Sequence, residues 1–260
     1  AGTAADALGN QALASADSST FVVDNTAPTF TVSAPTPTDV NSSGTANFTV
    51  TYADYNTITL SNTDITLNQT GAACSTVVVS GSGDSRNVAV SGCLGDGTVG
   101  ITVNANSATD VAGNQAAESS PSSTFNVSNA PPTIAVTGPD DDDVNSTGTS
   151  TFTVTYGNYD TISLSEGDIT LNQTGAACTT KTITGTGDTR SVAISGCLGD
   201  GTVGITIIAG TAVDALGNEA PASSPSSTFN VDNTAPTVTV STPDQTDVNQ
   251  SGTVNYTVTY

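Results

Sequence analysis

Aspartate and asparagine recur together in one short pattern, Asp-x-x-Gly-Asn, which begins at Asp6, Asp110 and Asp214. Their side-chain oxygens are ligands that Ca²⁺ prefers, and a complete calcium site takes about six to eight oxygens. The same residues also form tight turns, because Asp and Asn bond to the local backbone and tolerate left-handed conformations. The pattern therefore has two interpretations, a calcium site and a turn alone.

A second polar phrase, Asp-Asn-Thr-Ala-Pro-Thr, occupies residues 24–29 and 232–237, and a variant, Ser-Asn-Ala-Pro-Pro-Thr, occupies residues 128–133. The proline at its fifth position fixes the backbone and lacks an N–H donor, so the phrase has limited freedom to bend. The first two residues add further oxygen atoms. We expect this linker phrase to join successive domains and to offer those oxygens to a cation.

The charge of the chain excludes several functions. There are 24 acidic residues against only Arg86, Lys181 and Arg190, which gives a net charge of −21. Nucleic acids and anionic membranes require basic patches, so neither is an expected partner, and no apolar run approaches the ~20 residues of a membrane helix. The chain has no His, so a Ser or Thr nucleophile lacks its usual base. We expect no enzymatic activity.

Comparison of the chain with itself shows a repeat. The three Asp-x-x-Gly-Asn patterns begin 104 residues apart, and every landmark between them recurs at the same distance. A repeat of this length organises the whole fold. We predict two complete domains at residues 27–130 and 131–234. Residues 1–26 are then the C-terminal part of a preceding repeat, and residues 235–260 are the N-terminal part of a following one.

Apolar residues alternate with polar residues throughout each repeat. Phe48, Val50 and Tyr52 share one face of a segment whose other face carries Thr and Asn, and turn residues separate several such segments. A period of two is typical of half-buried strands. Seven or eight short strands in about 100 residues predict an all-β fold, namely tandem immunoglobulin-like β-sandwich domains.

The cysteines fit one strand register. If residues 83 and 84 form the tip of a hairpin, apolar residues face apolar residues and Cys74 faces Cys93; the same arrangement in the next repeat pairs Cys178 with Cys197. We therefore predict one disulfide within a sheet in each repeat. Antibody domains differ, because their disulfide joins the two sheets. Paired cysteines also indicate an oxidising, extracytoplasmic setting.

The predicted topology indicates which polar loops meet, because alternate loops of an immunoglobulin-like sandwich cluster at each pole. The Asp-x-x-Gly-Asn loop is expected at the N-terminal pole, where the chain enters the domain, beside residues 53–56 or 157–160. The loops at 35–44 and 93–98 are expected at the C-terminal pole. Where two repeats join, oxygens from both poles are expected to converge. The candidate calcium ligands are Asp6, Asn10, Asp24, Asn25, Asp39, Asp96, Asp110, Asn114, Asn129, Asp160, Asp214, Asn218, Asp232 and Asn233.

Turn chemistry alone is the competing interpretation of several of these residues. Asp96 lies in the sequence Gly-Asp-Gly-Thr, which is typical of a tight turn. Residues 139–144 read Pro-Asp-Asp-Asp-Asp-Val, whereas residues 35–40 read Pro-Thr-Pro-Thr-Asp-Val, so four consecutive carboxylates occur in one copy only. This acidic run has two possible interpretations, a solvated loop and a site that binds cations loosely.

Taken together, "GDGTVGITVNANSATDVAGNQA" at 95–116, "SSTFNV" at 122–127 and "DNTAPT" resemble the bacterial immunoglobulin-like repeats of very large secreted surface proteins. That resemblance covers the whole chain and implies stalks of adhesins or extracellular filaments, commonly stiffened by calcium at domain junctions. "VDNTAPTF" at 23–30 is also similar to the linker phrase of cadherins, which implies a calcium role for Asp24, Asn25, Asp232 and Asn233. The similarity to the cadherin phrase is weaker at residues 128–133, where Ser128 replaces the first Asp.

The sequence thus predicts a structural segment of an extracellular adhesin stalk or surface fibre. Its expected partners are neighbouring identical repeats or filament subunits, and a host or surface ligand contacted through other domains. Two alternatives stay open. The chain is a subunit of a filament that polymerises by strand donation, or it is a module that binds carbohydrate or a host surface.

Overall fold

The structure, a computed structural model, describes residues 3–260 and divides the chain into two compact units, one ending at Ser128 and the other beginning at Asn129. Each unit is described by itself. The finer division of the sequence at residues 27, 131 and 235 stays a prediction. Among the described residues the only helices are two single 3₁₀ turns, Asn62–Asp64 and Glu166–Asp168.

The first unit contains ten strands. They are β1 (Thr29–Val32), β2 (Asp39–Val40), β3 (Thr45–Ala53), β4 (Thr57–Ile58), β5 (Ile65–Thr70), β6 (Ala73–Ser80), β7 (Ser85–Leu94), β8 (Gly97–Val103), β9 (Ala108–Thr109) and β10 (Phe125–Val127).

Eight of these strands form two four-stranded sheets. One sheet has the order β1-β3-β7-β6 and the other the order β2-β10-β8-β5, while β4 and β9 form a separate two-stranded ribbon. Read as immunoglobulin strands, the first sheet is A-B-E-D and the second contains C-F-G. β2 continues the first strand on the opposite sheet, where it runs parallel to β10. The predicted immunoglobulin-like sandwich is therefore confirmed by strand order and register.

The second unit repeats this architecture, with each strand beginning 104 residues after its counterpart. Its strands are β11 (Thr133–Thr137), β12 (Asp143–Val144), β13 (Thr149–Gly157), β14 (Thr161–Ile162), β15 (Ile169–Thr174), β16 (Ala177–Thr184), β17 (Thr189–Leu198), β18 (Gly201–Ile207), β19 (Ala212–Val213) and β20 (Phe229–Val231). The sheet orders are β11-β13-β17-β16 and β12-β20-β18-β15. The short strands β21 (Thr239–Val240) and β22 (Val258–Thr259) pair with each other further along the chain.

The predicted hairpin register is confirmed in both units. Val79 lies opposite Val88 in the first unit, and the same register brings Cys74 opposite Cys93. Disulfides join Cys74 to Cys93 and Cys178 to Cys197, each closing a sequence separation of 19 residues between adjacent strands of one sheet. No cysteine in the described chain is free.

A buried apolar core fills the space between the two sheets. Phe48 on β3 packs near Phe125 on β10, with ring centroids 6.2 Å apart, and both side chains are fully buried. Phe152 and Phe229 repeat the pair at 6.1 Å. The alternation of apolar residues in the sequence places these side chains inward, because successive residues of a strand point to opposite faces. Burying each such ring contributes roughly 1.5 to 3 kcal/mol.

A serine-rich segment completes the second sheet where no regular strand is present. β10 pairs with β8 only at residues 97–99. Further along β8, the N–H groups of Ile101 and Val103 donate to the hydroxyls of Ser122 and Ser119, each at 2.9 Å. The N–H groups of the same two serines donate back to the carbonyls of Ile101 and Val103. The hydroxyls thus replace the backbone carbonyls of a missing strand, and the second unit uses Ser226 and Ser223 in the same way.

Within residues 3–260 there is no helix with the length and apolar character of a membrane span.

Candidate functional site

The three Asp-x-x-Gly-Asn loops are hydrogen-bonded turns. In the first unit, Asp110 accepts the N–H of Asn114 on Oδ1 at 2.8 Å and the side-chain amide of Asn114 on Oδ2 at 2.8 Å. Asp214 and Asn218 repeat both bonds at 2.8 Å. The intervening glycine has a φ of 93° in one loop and 87° in the other, a left-handed conformation that explains why glycine is present.

These bonds stabilise the ionised carboxylates. The side-chain amide of Asn114 is the largest cause that lowers the pKa of Asp110 below its ordinary value, and Asn10 acts in the same way on Asp6. For Asp214, burial raises the pKa, but N–H donors from Asn218 and the adjacent backbone outweigh it, so the net shift is downward. N–H donors on a carboxylate favour its charged form.

Both oxygens of each loop carboxylate therefore already accept N–H groups. A calcium ion at these positions has to compete with those donors for the same lone pairs. The turn interpretation accounts for every bond of Asp110 and Asp214 given above. Calcium binding at these loops stays a prediction.

The linker phrase at residues 24–29 is tied to the N-terminal pole of the first unit. The side-chain amide of Asn114 donates to the carbonyl of Asp24 at 3.0 Å and to that of Thr26 at 3.4 Å. Asp24 Oδ1 also accepts the N–H of Thr26 at 2.9 Å. On the other side of the loop, the N–H of Asn56 donates to the carbonyl of Thr109 at 2.7 Å. The structure thus brings the Asp-x-x-Gly-Asn loop beside residues 53–56, as predicted.

The linker phrase at residues 232–237 is held to the C-terminal pole of the second unit. The N–H of Asn233 donates to Asp200 Oδ1 at 2.6 Å, and the hydroxyl of Thr234 donates to Asp200 Oδ2 at 2.7 Å. The side-chain amide of Asn233 donates to the carbonyl of Gly199 at 2.7 Å, while its Oδ1 accepts the N–H of Ser146 at 2.5 Å. We call Ser146, Asp200, Asn233 and Thr234 the linker latch.

The latch uses both the amide nitrogen and the amide oxygen of one linker side chain. Asn233 donates through Nδ2 and accepts through Oδ1, so its amide is fixed in orientation by two loops of the same pole. The backbone N–H of Asn233 is the largest cause that lowers the pKa of Asp200, followed by the hydroxyl of Thr234. Asp200 is thus an ionised anchor for the chain as it leaves the sandwich.

The sequence does not predict Asp200 and Ser146 as functional residues. The equivalent Asp96 is one of the calcium candidates, and its Gly-Asp-Gly-Thr sequence favours a turn. The signal was available, because this tetrapeptide recurs at 95–98 and 199–202 on the same period as the linker phrase. What the sequence does not give is that the carboxylate faces linker N–H and O–H donors.

In the first unit, the strand pair β2 and β10 carries another polar contact at the C-terminal pole. Asp39 Oδ1 accepts the side-chain amide of Asn126 at 2.9 Å, which is the largest cause lowering the pKa of Asp39. The second unit repeats the contact between Asp143 and Asn230 at 3.0 Å. Asp39, a predicted calcium ligand, therefore forms a side-chain hydrogen bond between two parallel strands.

The acidic run at residues 140–143 is only partly a solvated loop. Asp140 Oδ1 accepts the N–H of Thr151 at 2.5 Å, and this backbone bond is the largest cause that lowers the pKa of Asp140. Asp143 accepts the amide of Asn230, as described above. Two of the four carboxylates are thus engaged in structural hydrogen bonds.

The remaining candidates are distributed over both units. Asp96 is exposed in the turn between β7 and β8, Asn25 is exposed in the first linker phrase, and Asn129 follows β10. Asp160 lies beside the Asp214 loop, where its N–H donates to the carbonyl of Val213 at 2.8 Å. Asp232 accepts the N–H of Thr234 on Oδ1 at 2.9 Å. In residues 3–260 no three acidic or cysteine side chains are grouped as a metal site requires.

Comparison with solved structures returns both titin fragments and bacterial adhesins. A structure of the titin domains Z1Z2 in complex with telethonin is 17% identical, covers 83% of this chain and 100% of its own, and has a TM-score of 0.28. FdeC, an adhesin of Escherichia coli, is 14% identical over 89% of this chain and 72% of its own, with a TM-score of 0.31. Invasin, a bacterial integrin-binding protein, is 19% identical over 69% of this chain and 36% of its own, with a TM-score of 0.29.

Bacterial adhesins are thus among the structural neighbours. The fold assignment itself rests on the strand order and register of each unit. No family model and no curated protein matches the chain.

Proposed function

We propose that this chain is a structural, non-enzymatic segment of an extracellular bacterial adhesin stalk or surface fibre. Successive immunoglobulin-like sandwiches provide reach, and a disulfide within each sandwich closes a loop of the chain. A net charge of −21 keeps such a segment soluble and opposes its collapse onto like chains. Its partners in this role are neighbouring repeats.

The linker latch is the observation that carries this proposal. A stalk needs each domain to set the direction in which the chain leaves it, and here the residues after β20 are bonded to two loops of their own sandwich. Charge-assisted hydrogen bonds such as those to Asp200 are shorter and stronger than neutral ones. The linker phrase is then an ordered joint rather than a flexible tether.

Replacement of Asn233 by alanine tests this role. We expect the amides of Asn233 and Thr234 to exchange hydrogen faster in Asn233→Ala, because the side-chain bonds to Gly199 and Ser146 are lost. Asn25→Ala is the matched control, since Asn25 is the equivalent residue of the first linker phrase and is not part of the latch. Equal exchange at residues 232–237 in the wild type and in Asn233→Ala contradicts a latch.

Calcium stiffening of the joints is a further part of the proposal. Asp24 and Asp232 are exposed and use one carboxylate oxygen in the local turn, which leaves the other for a cation. The loop carboxylates of Asp110 and Asp214 are less suitable, because both of their oxygens accept N–H groups. We expect calcium to increase the maximum dimension measured by small-angle scattering. An identical scattering curve with and without a chelator excludes this part and leaves the latch unaffected.

Strand donation between separate subunits is the second candidate function. Phe21 is 86% exposed, although its equivalent Phe125 is fully buried, and Tyr256 is 59% exposed, although its equivalent Phe152 is fully buried. Exposed strand residues of this kind are the features that donated strands bury. A denaturing gel of the native assembly distinguishes the candidates, since a polymer of subunits yields short chains and a continuous stalk yields one long chain.

A further inference from the structure

The first strand of the first unit has an open edge. β1 is the outermost strand of its sheet, and the N–H of Ser33 just after it donates to the carbonyl of Thr49 on β3 at 2.9 Å. In an antiparallel ladder, alternate residues bond to the same neighbour. Residues 29, 31 and 33 therefore bond to β3, while the N–H and C=O groups of Phe30 and Val32 point away from the sheet.

A groove runs along this edge. Its volume is about 530 Å³, and it lies between residues 28–32 and residues 117–122. The second wall is firmly placed, because the hydroxyls of Ser119 and Ser122 hold it to β8. The groove thus combines unpaired backbone donors and acceptors on one side with a fixed polar wall on the other.

The groove carries one charge. Glu118 lies on its wall, is exposed, and makes no ion pair with any of residues 3–260. The other lining residues are neutral, and they include the apolar side chains of Phe30, Val32 and Pro121. An occupant with one positive group and otherwise neutral or apolar side chains is complementary to these walls.

The chain itself does not supply such a group. Arg86 donates to the carbonyls of its own hairpin turn, and Arg190 does the same in the second unit. Lys181 donates to the carbonyl of Ile169 at 2.9 Å. These three are the only basic side chains, and each is already bonded within its own unit, so a second copy of the chain is a poorer match for Glu118 than a segment with a free Lys or Arg.

We propose that this groove binds an extended segment of a different polypeptide, which adds to β1 as an extra strand. The segment has alternating apolar residues and one Lys or Arg opposite Glu118. Main-chain bonds to Phe30 and Val32 give affinity in this mode of recognition, and the side-chain positions give specificity. Exposed edge strands are the usual templates for such pairing.

The second unit provides a natural control. Its edge strand β11 is equivalent to β1, but Ala222 stands where the first unit has Glu118, and Pro221 stands where it has Ala117. The two units thus differ in charge at this position. The variant Glu118→Ala removes the charge from the groove of the first unit, and Ala222→Glu places a charge at the equivalent position of the second unit.

The test uses the full chain and a fluorescein-labelled peptide of eight residues, alternating valine and threonine, with one central threonine replaced by lysine. We expect anisotropy titrations to show binding that weakens roughly two- to fivefold in Glu118→Ala, the range of an exposed ion pair. A peptide with glutamine in place of lysine is expected to bind both proteins equally. The amide NMR signals of Phe30 and Val32 are expected to shift on binding, and 1 M salt is expected to remove the lysine advantage.

Three results overturn the proposal. The first is a lysine peptide that binds Glu118→Ala as tightly as it binds the wild type, or binds neither. The second is a set of shifted amide signals on another strand edge. The third is self-association in sedimentation experiments that the peptide competes away, because the occupant is then a second copy of the chain.

Discussion

The two sandwiches share strand order and register but differ in how they satisfy one buried polar group. In the second unit the hydroxyl of Tyr156 donates to Thr211 Oγ1 at 3.1 Å. In the first unit the equivalent hydroxyls of Tyr52 and Ser107 are buried and form no hydrogen bond of regular geometry within the described residues, although Ser107 is close enough to lower the pKa of Tyr52 in part. Burial raises the pKa of both tyrosines, so both phenols are neutral. The fold therefore tolerates an unsatisfied hydroxyl that the second unit avoids.

A second difference lies where the chain crosses between the sheets. In the first unit the carbonyl of Thr36 accepts the N–H of Asn47 at 2.9 Å. In the second unit the carboxylate of Asp140 accepts the equivalent N–H, that of Thr151. One donor is thus satisfied by a neutral acceptor in one unit and by a titratable acceptor in the other. The comparison shows that the backbone defines the hydrogen-bonding positions, and that different side chains can fill them.

Removal of a disulfide is expected to have the largest effect and to affect both units alike. Each bridge spans 19 residues, so its loss lowers the free energy of unfolding by about 3 kcal/mol in the chain-entropy model. The double variant Cys74→Ala/Cys93→Ala and its counterpart Cys178→Ala/Cys197→Ala can be compared by denaturant unfolding with hydrogen exchange read separately in each unit. Unequal losses mean that the two units rely on their bridges differently, despite the same register.

Replacement of the buried tyrosines is expected to separate the units. Tyr156→Phe leaves Thr211 without its donor and should lower the free energy of unfolding by about 1 kcal/mol, the net value of a typical hydrogen bond. Tyr52→Phe removes a hydroxyl that has no partner, so its cost should be near zero, or the change should stabilise the unit. Thermal unfolding of each single variant measures the difference. Equal losses in the two variants mean that Tyr52 is satisfied in solution.

Acid is expected to produce the smallest difference between the units. Because N–H donors lower the pKa of Asp140 in the folded chain, its contribution to stability is present above the unfolded pKa of about 3.9 and is lost as pH falls through the lower folded value. The carbonyl of Thr36 does not titrate. Below about pH 4 the second unit should therefore lose more protection from hydrogen exchange than the first.

Asp140→Asn is the control for this acid effect, since asparagine keeps an acceptor oxygen at the same position but cannot be protonated in this range. The other carboxylates with lowered pKa values include Asp39 and Asp110 in the first unit and Asp200 and Asp214 in the second, so both units weaken in acid. Asp140→Asn should remove the additional loss at Thr151 and the residues around it, whereas the loss at the linker that depends on Asp200 should remain. An unchanged acid loss around Thr151 in Asp140→Asn assigns the acid-sensitive group there to another residue.

The hairpin register could be predicted because two independent patterns coincide. Apolar alternation and the positions of Cys74 and Cys93 both require the same pairing, and a shift by one residue reverses every side chain. The ribbon of β4 and β9 could not be predicted, because two residues are too few for alternation to be visible. The segment of Ser119 and Ser122 also escapes prediction, since its serine hydroxyls act as backbone acceptors without any apolar pattern.

The polar residues of the linker were identified from sequence, but their bonding partners were not. Oxygen atoms that suit a cation are the same atoms that accept N–H groups, so composition alone does not separate the two uses. Asn233 and Asp200 are 33 residues apart in sequence, and only the folded loops bring them together. The sequence does not show which N–H and O–H donors point toward these oxygens, because that depends on the backbone conformation of the folded loops.

The parallel pairing of β2 with β10 has a mechanical consequence. Tension on the two ends of the first unit pulls these neighbouring strands past one another, so the bonds from Asn126 N–H to Thr38 and from Ser128 N–H to Val40 are sheared together rather than opened in turn. After rupture, the bridge between Cys74 and Cys93 keeps the 19-residue loop from extending, which withholds roughly 60 Å of contour length. In the proposed stalk, a unit of this kind would resist tension through this strand pair and would extend only in part after the pair separates.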